Sequence, residues 1–155
     1  MLAQLGPDSP APKEGSDVRA LGIDFGERRI GLAISDPEGR WALPLETFER
    51  RSDRQAAHRI ADVVRREGVE RLVLGEPRQF DGTPGESAER VRRFGARLAK
   101  ITGLEVEAVG EALTTVEATA RLEAVPGKTV SQGAIDAVAA QILLQEALDL
   151  SGGDD

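Results

Sequence analysis

The chain has no cysteine, no tyrosine and only one histidine, His58, in 155 residues. Without cysteine there are no disulfides, no thiolate zinc sites and no thiol nucleophile, which fits a reducing cytoplasm. A single histidine leaves little room for a histidine-based metal centre or a Ser-His-Asp triad. Long apolar runs are missing too. None is long enough to cross a bilayer, and none is framed like a secretory signal, so no membrane partner is expected. Aromatic residues make up 3% of the chain. A base-stacking platform is therefore poorly supplied, and any nucleic acid would be recognised by its backbone or duplex shape.

What is present suits one soluble globular domain: 40% hydrophobic and 30% charged residues, in a length that supports a single core. The net charge of −7 argues at first sight against a nucleic-acid partner. Much of it lies at the ends, in Asp8, Glu14, Asp17, Asp154 and Asp155. Residues 19–150 carry a net charge of only −3. Of the 20 basic residues 17 are arginine, the side chain suited to bidentate phosphate contacts. A cation-binding site also requires an excess of carboxylate, so the acidic balance is no veto.

Residues 1–18, with Pro7, Pro10, Pro12, Gly6 and Gly15, read as a mobile tail, and 151–155 as a second one. Between them, Ala20–Asp24 and Ile30–Ile34 are short apolar runs separated by few residues, which predicts a hairpin. Asp36-Pro37-Glu38-Gly39 has type I turn chemistry. A third strand follows over Trp41–Phe48, broken or bulged at Pro44. Ser52 and Gln55 form a capping box for a helix to Glu67, with Ala56, Ile60, Val63 and Val64 inward and Gly68 as its stop. Arg71–Gly75 is a buried strand. Thr83, Pro84 and Glu86 open a second helix, with Ala88, Val91, Phe94, Leu98 and Ile101 on one face and Gly103 at its end. Leu104–Val109 is the last strand. A helix capped by Thr114 and Glu117, a loop over 125–130 and a final helix over Ser131–Leu150 complete the chain. The expectation is an α/β fold: a mixed five-stranded sheet with antiparallel N-terminal hairpin strands and flanking helices, the element order of RNase H-like folds.

Three acids stand where chemistry is done. Asp24 ends an apolar strand, where a charge is costly unless neutralised, although an Asx-turn before Gly26 is an equal reading. Glu111 follows a strand at the end where α/β sheets gather ligands, or it serves the N-terminus of the next helix. Asp136 interrupts an otherwise uncharged stretch of small residues, Gly133 to Ala140, and could also be an exposed helix position. Taken together, three carboxylates from three elements suit hard cations such as Mg²⁺ or Mn²⁺. Two such ions roughly 3.5–4 Å apart can clamp the attacking and leaving oxygens of a phosphodiester displacement.

Four motifs in order carry a resemblance. They are Gly22-Ile23-Asp24-Phe25-Gly26 with Arg29-Ile30-Gly31-Leu32-Ala33-Ile34-Ser35-Asp36, then Gly75-Glu76-Pro77 with Asp81-Gly82-Thr83, then Glu111-Ala112-Leu113-Thr114-Thr115, then Ile135-Asp136 with Ala139-Ala140. From Leu21 to Leu148 the chain resembles the YqgF/RuvX family. The resemblance implies an RNase H-like nuclease in which Asp24, Glu111 and Asp136 are catalytic. It implies a role in 5′-end maturation of precursor 16S ribosomal RNA, or resolution of Holliday junctions as by RuvC. The chain departs from the family's usual Asp-Glu-Arg-Leu-Thr-Thr by carrying Gly110 and Ala112 beside Glu111. It also has Ala139 where resolvases of the RuvC type use a fourth carboxylate.

Arg28 and Arg29 in the hairpin turn, Lys128 in the loop before the last helix, and the helix starts at Thr83 and Thr114 are candidate phosphate contacts. Simple solubility and capping roles compete for each. The expected partner is precursor rRNA or branched DNA, and the expected assembly a monomer or weak homodimer. Two rival functions are open. An actin-like ATPase shares an Asp-x-Gly strand end, but 155 residues supply no second phosphate loop. A non-catalytic module binding rRNA or protein draws support from Gly110 and Ala112.

Overall fold

A computed structural model describes residues 18–75, 84–109 and 132–152. Strands β1 (Ala20–Phe25), β2 (Arg29–Ser35) and β3 (Ala42–Glu49) precede helix α1 (Asp53–Glu67). Strand β4 (Arg71–Gly75), helix α2 (Pro84–Thr102), strand β5 (Val106–Val109) and helix α3 (Gln132–Gly152) follow. The five strands form one sheet in the order β3-β2-β1-β4-β5. β1 pairs antiparallel with β2 and parallel with β4, which makes the sheet mixed, as expected, and places β1 at its centre.

Alternation along the strands divides the sheet into two unlike faces. Leu21, Ile23, Phe25, Ile30, Leu32, Leu72 and Leu74 face α1 and α2, where they meet Ala56, Ile60, Val63, Val91, Phe94 and Leu98 in the main core. The opposite face is built of small residues. Ala20, Ala33, Ala42 and Val73 pack there against Ala140, Leu143, Leu144 and Ala147 of α3.

Most local expectations hold, and the differences have local causes. β3 starts at Ala42 because Trp41 closes the preceding turn: its N–H donates to Asp36 Oδ1 (3.0 Å) and its carbonyl accepts from the Asp36 N–H (3.1 Å). The Trp41 and Arg40 N–H groups hold the Asp36 carboxyl below the usual carboxylate range. Leu32 pairs with Glu46 and Ala33 with Pro44, so the bulge falls at Leu45, beside the proline that cannot donate to the ladder. Ser52 accepts from the Gln55 N–H, but Gln55 Oε1 is buried with no hydrogen-bond partner, so only half of the capping box forms. β5 begins two residues later than the apolar pattern suggests. The Leu104 N–H donates to Thr102 Oγ1 (3.2 Å) and is lost to the ladder. α3 continues past Leu150 to Gly152. Ser151 and Gly152, read as tail, are thus helical, while the helix expected from Thr114, the loop over 125–130, residues 1–17 and residues 153–155 lie outside the described residues.

α3 lies close on the sheet because the strands beneath it lack side chains. A Cβ on Gly22 would stand 2.7 Å from Leu144 Cβ, and one on Gly75 2.8 Å from Leu143 Cδ2. A Cβ on Gly31 would collide with the backbone carbonyl of Asp136. Backbone cannot rotate away as a side chain can, so this contact is the least forgiving of the three. Gly31→Ala is expected to lower unfolding stability by about 1–3 kcal/mol in urea titrations. A loss under about 0.5 kcal/mol, the usual scatter of surface substitutions, would show that α3 is not pinned there.

Candidate functional site

Asp24 sits near the carboxyl end of β1, on the α3 face and half-buried. In register it pairs with Gly31 on one side and Gly75 on the other. The lateral neighbours on its face therefore offer no side chains, and the helix above closes over both glycines. Directly paired residues in adjacent strands lie about 4.5–5.5 Å apart at Cα. The backbone of Asp136 rests on Gly31, one strand from Asp24. Two acids separated by more than a hundred residues of chain are thus brought to one patch of one sheet face. Further along the same row Thr47, paired with Gly31, donates to the Gly133 carbonyl (2.7 Å) and ties the start of α3 to β3. At the other end of the sheet Gln141 and Gln145 bond the backbone of Ala42 at 2.9 Å each, fixing the helix lengthwise.

The Asp136 carboxylate is engaged by a cation of the chain itself. Arg29 Nε donates to Asp136 Oδ2 at 2.7 Å. The Asp136 side chain is 16% exposed and that of Arg29 37%, so the pair lies at the rim of the patch. Arg29 and Gly31 are two apart on β2 and share its α3 face, so one strand touches both the side chain and the backbone of Asp136. Arg28 is exposed, and its carbonyl accepts from the Arg50 N–H (2.8 Å). His58 is exposed on α1.

Arg50 has a role that the sequence did not single out from the basic residues around it. Its Nε and Nη2 donate to the Glu27 carbonyl at 3.0 and 2.7 Å, and its Nη1 donates to Asp53 Oδ1 at 2.8 Å. It clamps the β1–β2 turn from which Arg28 and Arg29 project. It also stands 5.6 Å from the ring centroid of Phe25, which stacks on Phe94 at 4.3 Å. The strand end carrying Asp24 is thereby held from the opposite face.

The donor set fits a hard divalent cation in kind: carboxylate oxygens, with neither thiolate nor imidazole beside them, in a place where a positive charge already rests on Asp136. Among the described residues no group of three or more His, Cys, Asp or Glu is assembled for a metal ion. Glu111, Lys128, Thr83 and Thr114 lie outside the described residues. No described helix is long and apolar enough to cross a membrane.

A mixed sheet in this order, helices on both faces and a carboxylate at the end of its central strand define the RNase H-like α/β class. Comparison with solved structures agrees. Thermus thermophilus RuvC in complex with Holliday junction substrate aligns with a TM-score of 0.56 at 20% identity, over 88% of this chain and 96% of that one. Fowlpox virus resolvase with substrate Holliday junction DNA aligns at 0.50 and 10% identity, over 84% and 99%. The profile of RuvX, described as Holliday junction resolvase, matches residues 18–150, and the chain belongs to this nuclease family. Curated relatives named "Putative pre-16S rRNA nuclease" include one from Anaplasma marginale, 38% identical over 90% of this chain and 89% of its own length. Another, from Moorella thermoacetica, is 42% identical over 87% and 97%.

The turn clamp can be tested without any assay of activity. Arg50→Ala removes three side-chain hydrogen bonds and is expected to cost about 1.5–3 kcal/mol, roughly 0.5–1 for each. Amide exchange at Gly26–Arg29 should quicken by more than tenfold. Exchange unchanged in that turn would remove Arg50 from any part in presenting Arg29.

Proposed function

We propose that the chain is a divalent-metal-dependent phosphodiester hydrolase that matures the 5′ end of precursor 16S rRNA in the cytoplasm. Residues 19–150 form the nuclease domain in this reading, flanked by tails. The observation that carries it is the convergence of Asp24 and Asp136 on one glycine-paved patch of the sheet, in a family of nucleases. Asp24, Asp136 and Glu111 would hold Mg²⁺ or Mn²⁺. When bound, such ions supply Lewis acidity at the phosphate and lower the pKa of an attacking water.

The chain's own residues do the rest. Gly31 and Gly75 beside Asp24 let α3 come down on the sheet next to that carboxylate. α3 covers the sheet and keeps Asp136 in place through Gly31. Arg28 and Arg29 would take the substrate backbone, with Lys128 and the helix starts at Thr83 and Thr114 as further phosphate contacts. RNA is preferred as substrate because the curated relatives described above carry pre-16S rRNA in their names. A four-way DNA junction is the second reading, carried by the family description. The chain would act as a monomer or weak homodimer.

Asp24→Asn and Asp136→Asn are each expected to abolish Mg²⁺- or Mn²⁺-dependent cleavage of precursor 16S RNA, with far-UV dichroism unchanged. Substrate panels including single-stranded RNA and DNA and a four-way junction decide the substrate class. Full activity in either variant sinks the assignment. Salt-dependent RNA binding by the wild-type chain without cleavage under any divalent ion would instead identify a non-catalytic module.

A further inference from the structure

The Arg29–Asp136 pair is not explained by phosphate binding alone. A guanidinium waiting for substrate would be expected to project into solvent, as Arg28 does. Arg29 instead turns back and bonds, at 2.7 Å, one of the two described carboxylates on the patch. Both partners are held there by their backbones. The Gly26 N–H donates to the Arg29 carbonyl at 3.1 Å, and a Cβ on Gly26 would collide with that same carbonyl, so the turn grips the base of Arg29. Asp136 is fixed through Gly31 on the same strand.

The burial of the two groups is unequal, and this gives the pair a direction. Asp136, at 16% exposure, is the more buried charge and gains most from a neighbouring cation. Arg29, at 37%, can rotate its head into water while its stem stays in place. Of the two, the arginine is the partner that can leave. A divalent ion reaching the Asp136 oxygens would meet a positive charge already on Oδ2.

We propose that Arg29 is the resident counter-ion of Asp136 and gates this carboxylate against divalent cations, releasing it only when an ion or a substrate phosphate compensates for the exchange. The proposal rests on the reading in which Asp136 is a metal ligand. It makes Arg29 a positioning residue with two anionic partners in turn, the carboxylate and the phosphate, and it couples ion binding to the arrival of nucleic acid. In the absence of nucleic acid the gate lowers ion affinity. A partly exposed ion pair of this kind is worth up to about 1 kcal/mol, or about fivefold in affinity. Removing the repulsion between the guanidinium and the incoming ion adds to that.

The test is titration of the full chain with MnCl₂ alone by calorimetry, comparing wild type, Arg29→Gln, Arg29→Lys and Asp136→Asn. Thermal melts with EDTA or with Mn²⁺ run in parallel. Arg29→Gln is expected to bind Mn²⁺ about five- to tenfold tighter than wild type, and Arg29→Lys, which keeps the charge, to stay near wild type. In the melts Arg29→Gln should lose stability under EDTA and show a larger gain on adding Mn²⁺. Arg29→Met, which keeps an apolar stem, replaces Arg29→Gln if the latter does not fold, with the same expectation. Affinity unchanged or weakened in the neutral variants, with binding lost in Asp136→Asn, overturns the gate and leaves the metal site standing. Binding as strong in Asp136→Asn as in wild type, or absent from wild type and neutral variants alike, overturns both.

Discussion

Helix α3 can lie on the sheet only because three strand positions beneath it carry no side chain. Gly22, Gly31 and Gly75 belong to three adjacent strands, and each would drive a Cβ into the helix. The two faces of the sheet are therefore not interchangeable. One face is filled by leucine, isoleucine and phenylalanine against two amphipathic helices. The other is paved with glycine and alanine and takes a helix that is itself rich in alanine and apolar on several sides. Close approach at Gly31 fixes the register of α3, and with it the position of Asp136 over the central strands.

That packing brings distant charges together. Asp24 lies between two of the glycines in the cross-strand row, so the same absence of side chains that admits the helix brings α3 down beside the carboxylate. Arg29 reaches Asp136 from the strand that carries Gly31. Behind the patch, Phe25 stacks on Phe94 with Arg50 and Arg90 over its ring at 5.6 and 5.4 Å. Arg50 also holds the turn by two bonds to the Glu27 carbonyl. A rigid strand end and a gripped turn give fixed starting points to side chains whose proposed chemistry needs them placed to within a fraction of an ångström.

Much of the fold was legible because its signals are local. The short apolar runs of β1 and β2, the Leu72-Val73-Leu74 core of β4 and the three-four spacing of Val91, Phe94 and Leu98 depend only on neighbours in sequence. Stops at Gly68 and Gly103 were equally plain, since both take a left-handed φ, 69° and 75°. The misreadings arose where a side chain captured a backbone group. Asp36 took the Trp41 N–H from the start of β3, and Thr102 took the Leu104 N–H from the start of β5. Arg50 was hidden among Arg51, Arg54 and Arg59. Nothing in a run of basic residues marks the one whose fork will meet a carbonyl across a turn.

By itself the sequence determined the order and kind of the described elements, the first strand with Asp24 near its end and the motifs that mark the family. All of these are written in composition and spacing along short stretches of chain. Tertiary structure alone decided that Gly31 would carry the backbone of Asp136, that Asp24 would sit between side-chain-free neighbours, and that Arg29 would close on a carboxylate 107 residues away. Those facts depend on strand register and on how near a helix can come to a sheet. Both are set by steric contact between segments remote in sequence, so no local pattern can encode them.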